Sequence, residues 1–80
     1  MTGQELLQLY AAGRKDFIRI QLEPGTNLSG ANLNNANLCD ANLAEVDFTG
    51  ANLQGANLQN TDLSFSKLIK VNFRRVRRLG

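Results

Sequence analysis

The stretch Ala31-Asn32-Leu33-Asn34-Asn35-Ala36-Asn37-Leu38-Cys39-Asp40-Ala41-Asn42-Leu43 repeats one phrase of five residues: a small residue, an Asn, a Leu and two variable positions. The phrase extends in both directions. Its bulky residue recurs at Leu28, Leu33, Leu38, Leu43, Phe48, Leu53, Leu58, Leu63, Leu68 and Phe73 without a missed step. Two places earlier stands a small or β-branched residue, from Thr26 through Ala31 and Val46 to Ser66 and Val71. Asn or Asp lies between them everywhere except at Lys67. The unit therefore runs ten times from Thr26 to Arg75. Two weaker copies centre on Phe17 and Leu22, making twelve, and the six-residue step from Leu22 to Leu28 places one extra residue near Pro24-Gly25.

Neither regular element satisfies this period. On a helix, at about 100° per residue, a step of five rotates by roughly 140° and smears the leucines around the cylinder. The density of Asn and Gly also opposes helix. On a straight strand an odd period sends Leu28 and Leu33 to opposite faces. The leucines share one side only if the chain turns a corner after every unit. A chain that keeps turning the same way, with small residues at its inward corners, is a solenoid whose coils stack at about 4.8 Å. The period leaves the number of sides open.

Composition bounds the rest. Eighty residues make one small domain, with nine Lys+Arg against seven Asp+Glu, a net charge of +2 and no His. The lone Cys39 excludes an internal disulfide framework and, without His, a zinc site. No apolar run is long enough for a membrane span or a signal-peptide core. The expectation is a soluble cytoplasmic chain with no cofactor and no metal.

The run from Ala31-Asn32-Leu33 to Asp62-Leu63 resembles the pentapeptide repeat family, over about three quarters of the chain. The opening Glu5-Leu6-Leu7, Tyr10-Ala11-Ala12-Gly13 and Asp16-Phe17 is similar to that of small cyanobacterial members. The resemblance implies an all-β, right-handed quadrilateral β-helix with four units per coil and about three coils. Leu28, Phe48 and Leu68 would then stack on one face, and Leu33, Leu53 and Phe73 on the next. Phe17, Leu38 and Leu58 would form the third column, and Leu22, Leu43 and Leu63 the fourth. Some members mimic DNA with a long acidic rod, which a short chain of net charge +2 does not supply.

The ends differ. Thr2-Gly3-Gln4-Glu5 fits a capping box, Leu6, Leu9 and Tyr10 share one helical face, and Gly13 can close the helix. Residues 1–14 are expected to form a helical lid over the first coil, residues 15–75 the solenoid, and residues 76–80 a basic tail. Residues 67–78 hold Lys67, Lys70, Arg74, Arg75, Arg77 and Arg78 with no acid, a sum of +6, whereas residues 1–66 sum to −4. Such a cluster suits an acidic protein surface, nucleic acid or anionic headgroups. It equally suits a solubilising tail that blocks strand addition at an open edge. No row of stacking aromatics accompanies it, which weakens the nucleic-acid case.

Phe65, Ile69, Val71, Val76 and Leu79 add apolar side chains to the same region, which allows a homodimer through the last coil. Catalysis finds no support: there is no His, no phosphate-binding Gly-rich loop and no Ser beside a base. The Asn ladder is expected to serve structure rather than a ligand. Cys39 is expected to be a passive outward residue, its thiol pKa raised by Asp40. The function expected is a non-enzymatic protein-interaction module using its outer walls or basic last coil. The alternatives are a structural subunit joined end to end, and anionic polymer binding by residues 67–78.

Overall fold

A computed structural model describes residues 1–78. The backbone turns a corner in every quintet. In every unit from Leu28 to Phe73 except that of Leu68, the carbonyl of the central residue accepts the N–H three residues later, as in Ala36 to Leu33 (3.0 Å) and Ala56 to Leu53 (3.0 Å). The third residue of each such turn has positive φ, as at Gly30, Asn35, Asp40 and Glu45, which is the type II pattern. The extra residue falls in the corner Glu23-Pro24-Gly25-Thr26. There the Thr26 N–H reaches the Glu23 carbonyl (3.1 Å), with Gly25 at φ +86. Pro before Gly is the combination a type II turn favours, so the insertion is absorbed locally.

Four corners close one coil. Asn32 forms a parallel bridge with Asn52 and Asn52 with Asn72, a step of twenty residues, or four units. Asp16 to Asn37 and Gln21 to Asn42 step by twenty-one, because Pro24-Gly25 lies between. The four columns of central residues follow from these registers as expected. No continuous strand occurs among the described residues: each wall contributes one bridged residue, since a corner every five residues leaves no room for a ladder. Pairing continues beyond Arg75, with Arg77 bridged to Asn57 and bonded to the Ala56 carbonyl (2.9 Å).

The core is a narrow column. Phe17, Leu33, Leu38, Leu43, Phe48 and Leu53 are completely buried, and Ala36, Val46 and Ala56 fill the inward corners beside them. The Asn or Asp beside each central residue accepts the N–H two residues on, as in Gln54 to Asn52 (2.9 Å) and Thr49 to Asp47 (2.9 Å). These are Asx turns, so the polar ladder holds each corner in shape within its own unit. One side-chain bond joins neighbouring coils of the ladder, Asn72 Nδ2 to Gln54 Oε1 (3.3 Å).

Helix α1 (Gly3–Ala11) closes the first coil. Its capping box is complete, with Glu5 N–H to Thr2 Oγ1 (3.0 Å) and Thr2 N–H to Glu5 Oε1 (3.1 Å). Those bonds to Thr2 hold the Glu5 carboxyl below its ordinary pKa. The helix ends in a Schellman motif: Arg14 N–H bonds Leu9 O, Gly13 N–H bonds Tyr10 O, and Gly13 has φ +106. Leu6 is fully buried, with Leu7, Leu9 and Tyr10 packed on the core. The Tyr10 hydroxyl donates to the Asn34 carbonyl (2.7 Å), which also receives Lys15 Nζ (3.4 Å).

Candidate interaction site

The opposite end has no lid among the described residues. Leu63, Leu68 and Val76 are half-buried and Phe73 is 39 % exposed, although Leu53, directly below Phe73, is fully buried. Where a next coil would lie there is a hollow of about 460 Å³ lined by Leu58, Leu63, Leu68, Phe73, Arg75, Val76 and Arg78. Arg78 follows Arg77 as Leu58 follows Asn57, so it takes the place that Leu38 and Leu58 hold in the column below.

The basic residues do not form one patch. Lys67 stands above Asp47 on one wall, and Lys70 is at the next corner. Arg74 and Arg75 form the following corner, and Arg77 stands above Asn57 on the wall beyond it. The six cations therefore follow the rim of the last coil around three of its walls, and Arg75 and Arg78 border the hollow. Phe65 occupies the corner before Lys67, above Glu45, and is 91 % exposed; Ile69, beyond Lys67, is 60 % exposed. Phe65 and Ile69 thus flank Lys67 on one wall, while Phe73 and Val76 line the hollow and Val71 is half-buried against the core. Leu79 lies outside the described residues.

The backbone of this end has a definite polarity. In the middle of the solenoid the N–H groups of the central residue and of the positive-φ corner donate to the following coil, as Leu33 to Asn52 O and Asn35 to Gln54 O (2.8 Å each). In the last coil the same groups, on Leu63, Phe65, Leu68, Lys70, Phe73 and Arg75, make no hydrogen bond among the described residues. The first coil is the reverse end, where the Asn34 carbonyl is met by Tyr10 and Lys15. Sequence reasoning missed this donor row, which depends on which way each amide points. It also missed Arg78 at a central position, a signal available by extending the period one step beyond Phe73.

The last coil concentrates departures that the lower coils carry singly. Its positive-φ corners are Phe65 (φ 58), Lys70 (φ 57) and Arg75 (φ 58), whereas the coils below use Gly, Asn or Asp at these corners except at Arg19 (φ 63) and Glu45 (φ 60). Positive φ strains any residue with a Cβ, Asn least. Lys67 cannot act as an Asx acceptor. The remaining candidates stay structural. Cys39 is half-buried, and its thiol is pushed up by desolvation first and then by Asp40. Arg19, one coil below, pulls the other way and is outweighed, a neighbour the linear sequence did not reveal. Among the described residues no group of three or more metal-ligating side chains occurs, and no helix is long and apolar enough to cross a membrane.

A stack of twenty-residue coils built from quintets, closed by a helix at one end, defines a class of repeat solenoid. The sequence profile of pentapeptide repeats matches residues 25–60 and 56–77 in eight copies, and the chain belongs to that family. Its structural neighbours are cyanobacterial. The crystal structure of alr5209, a pentapeptide repeat protein from Nostoc PCC 7120, is 28% identical, with a TM-score of 0.51 over 88% of this chain and 74% of that one. HetL, a pentapeptide repeat protein involved in heterocyst differentiation regulation in Nostoc sp. strain PCC 7120, is 23% identical, with a TM-score of 0.30 over 76% of this chain and 39% of that one. No curated protein matches the chain.

Proposed function

We propose that this chain is a non-catalytic protein-interaction module of the cytoplasm, a right-handed β-helix that presents its basic last coil to an acidic surface of another protein. Parallel bridges at a twenty-residue step and the likeness to alr5209 support the β-helix form. The observation that carries the function is the concentration of departures in one coil, since strained corners below it occur only singly, at Arg19 and Glu45. Positive φ at Phe65, Lys70 and Arg75, the loss of the Asx acceptor at Lys67, and exposed Phe65 and Ile69 all coincide there. Each departure costs stability, and foldable repeats give up such terms mainly where a site needs other chemistry.

Two copies meeting through this end would oppose two rims of six cations and two edges rich in N–H donors. Like charge and like polarity favour a different, acidic partner over a tail-to-tail homodimer. The test is affinity capture from native extract, followed by reconstitution of the identified partner with purified chain. The Arg74→Glu, Arg75→Glu double variant is expected to abolish binding while Arg14→Glu retains it. Equal binding by the double variant, or preference for duplex DNA or anionic vesicles over any protein, overturns the proposal.

A further inference from the structure

The open end is an interrupted ladder, and its polarity specifies what can complete it. Leu63 and Phe65 on one wall, Leu68 and Lys70 on the next, and Phe73 and Arg75 on the third each offer a pair of N–H donors toward the missing coil. The carbonyls of Ser66 and Val71 match those of Val46 and Ala51, which accept from Lys67 (2.9 Å) and Asn72 (3.0 Å) above them. Each of these two walls thus repeats the donor–acceptor pattern that binds the coils within the chain. A packed helix has its own amides spent internally. Laid on this edge it would bury six N–H groups without partners, at a cost of about 1–3 kcal/mol each.

Charge narrows the choice further. On the wall of Asn27, Asp47 and Lys67, the cation already stands one coil above a carboxylate, and Lys67 helps hold Asp47 below its ordinary pKa. A coil placed on top meets Lys67, Lys70, Arg74, Arg75 and Arg77 around its lower rim, and its outward side chains are best acidic. Its inward residues would be Leu or Phe at every fifth place, to fill the hollow above Leu63, Leu68 and Phe73.

We propose that the last coil accepts one further coil from a second protein, an acidic segment of quintet period that pairs in parallel with these amides and continues the core. This deepens the interaction-module reading and rests on it. Head-to-tail stacking of this chain on itself is blocked by α1, which occupies the complementary end.

The experiment uses isotope-labelled full chain and a synthetic peptide of four Ala-Asp-Leu-Glu-Gly units at millimolar concentration. Three controls accompany it: a scrambled peptide of the same composition, polyglutamate, and an acidic amphipathic helical peptide. The periodic peptide is expected to slow amide exchange about tenfold or more at Leu63, Phe65, Leu68, Lys70, Phe73 and Arg75, a protection that only new hydrogen bonds supply. The scrambled peptide and polyglutamate are expected to leave those amides unchanged. Failure of the periodic peptide to protect them, or equal effects of the scrambled peptide, overturns coil addition. If the helical peptide binds best, and Arg74→Glu with Arg75→Glu abolishes it, coil addition fails while the interaction module stands. If no acidic peptide binds, coil addition fails and the reconstitution with the native partner decides the module separately.

Discussion

Gly3 in the first turn of α1 lies against Thr26 in the first coil, so close that a Cβ on Gly3 would come within 2.7 Å of Thr26 Cγ2 and 3.3 Å of Leu28 Cδ2. The lid is seated through this contact. Alanine has the better helix propensity by about 1 kcal/mol, an advantage small in the first turn. Overpacking against a stiff β-branched side chain costs about 1–3 kcal/mol. Gly3→Ala is therefore expected to lower stability, by about 1 kcal/mol net, visible as a fall in Tm of several degrees. Gln8→Ala, on the exposed side of α1, should leave the Tm unchanged.

Phe48 and Phe73 hold the same place in the repeat and differ in cover. Phe48 is completely buried between Leu28 and Leu68, whereas Phe73 faces the open hollow. Phe48→Ala is expected to cost about 3–5 kcal/mol, enough to unfold so small a solenoid at room temperature. Phe73→Ala should cost less than half of that. Denaturant titration distinguishes the two, and equal losses would mean that the last coil is covered in solution.

The corner at Phe65 can be relieved. Left-handed backbone costs a residue with a Cβ about 1–2 kcal/mol, and Gly returns about 0.5–1 kcal/mol of that as unfolded-state entropy. Phe65→Gly is expected to raise stability by about 0.5–1 kcal/mol and to weaken partner binding. Gly55→Ala should act in the opposite sense. It puts a Cβ at φ +72 and drives it into the Asn35 side chain below.

Lys67→Asn restores the acceptor that its unit lacks. Ten units of the solenoid, those of Asp16, Asn27, Asn32, Asn37, Asn42, Asp47, Asn52, Asn57, Asp62 and Asn72, close the Asx bond. Supplying one to the Ile69 N–H is expected to add about 0.5–1.5 kcal/mol. The same change removes a rim cation, so the prediction is a higher melting temperature together with weaker binding. A variant that gains stability and binds as before would remove Lys67 from the interface.

The pH dependence follows from the carboxylates. Asp47 is held below its ordinary pKa chiefly by hydrogen bonding from Thr49, side chain and then backbone, and Asp62 likewise by Ser64. A depressed folded-state pKa means that the unfolded chain binds more protons near pH 4. The stabilisation is thus complete above the ordinary Asp pKa and disappears as pH falls through the lower folded value. With no His in the chain, stability should stay flat from about pH 5 to 8 and fall only on the acid side. Asp47→Asn with Asp62→Asn is expected to flatten that acid limb in pH-dependent thermal melts.

The path of the chain was legible because it is local. A bulky residue every fifth place, a small one two before it and an Asn or Asp between them force a corner in each unit. The same is true of the capping box at Thr2 and Glu5 and of the insertion at Pro24-Gly25. Each of these is settled by atoms within a few residues of one another. The period itself never stated how many corners close a coil. That depends on angles accumulated over four turns and appears only when Asn32 finds Asn52.

The site belongs to that second kind. Residues 67–78 read as one basic cluster along the sequence, yet closure of the coil distributes Lys67, Lys70, Arg74 and Arg77 around three walls and brings Arg78 into line with Leu58. It also turns the amides of Leu63, Leu68 and Phe73 toward a level that the described residues leave empty. Sequence alone determined that the chain coils, because coiling is the sum of identical local bends. Tertiary structure alone decided which end is open and which polarity it presents, because pairing between residues twenty apart exists only once the coils are stacked.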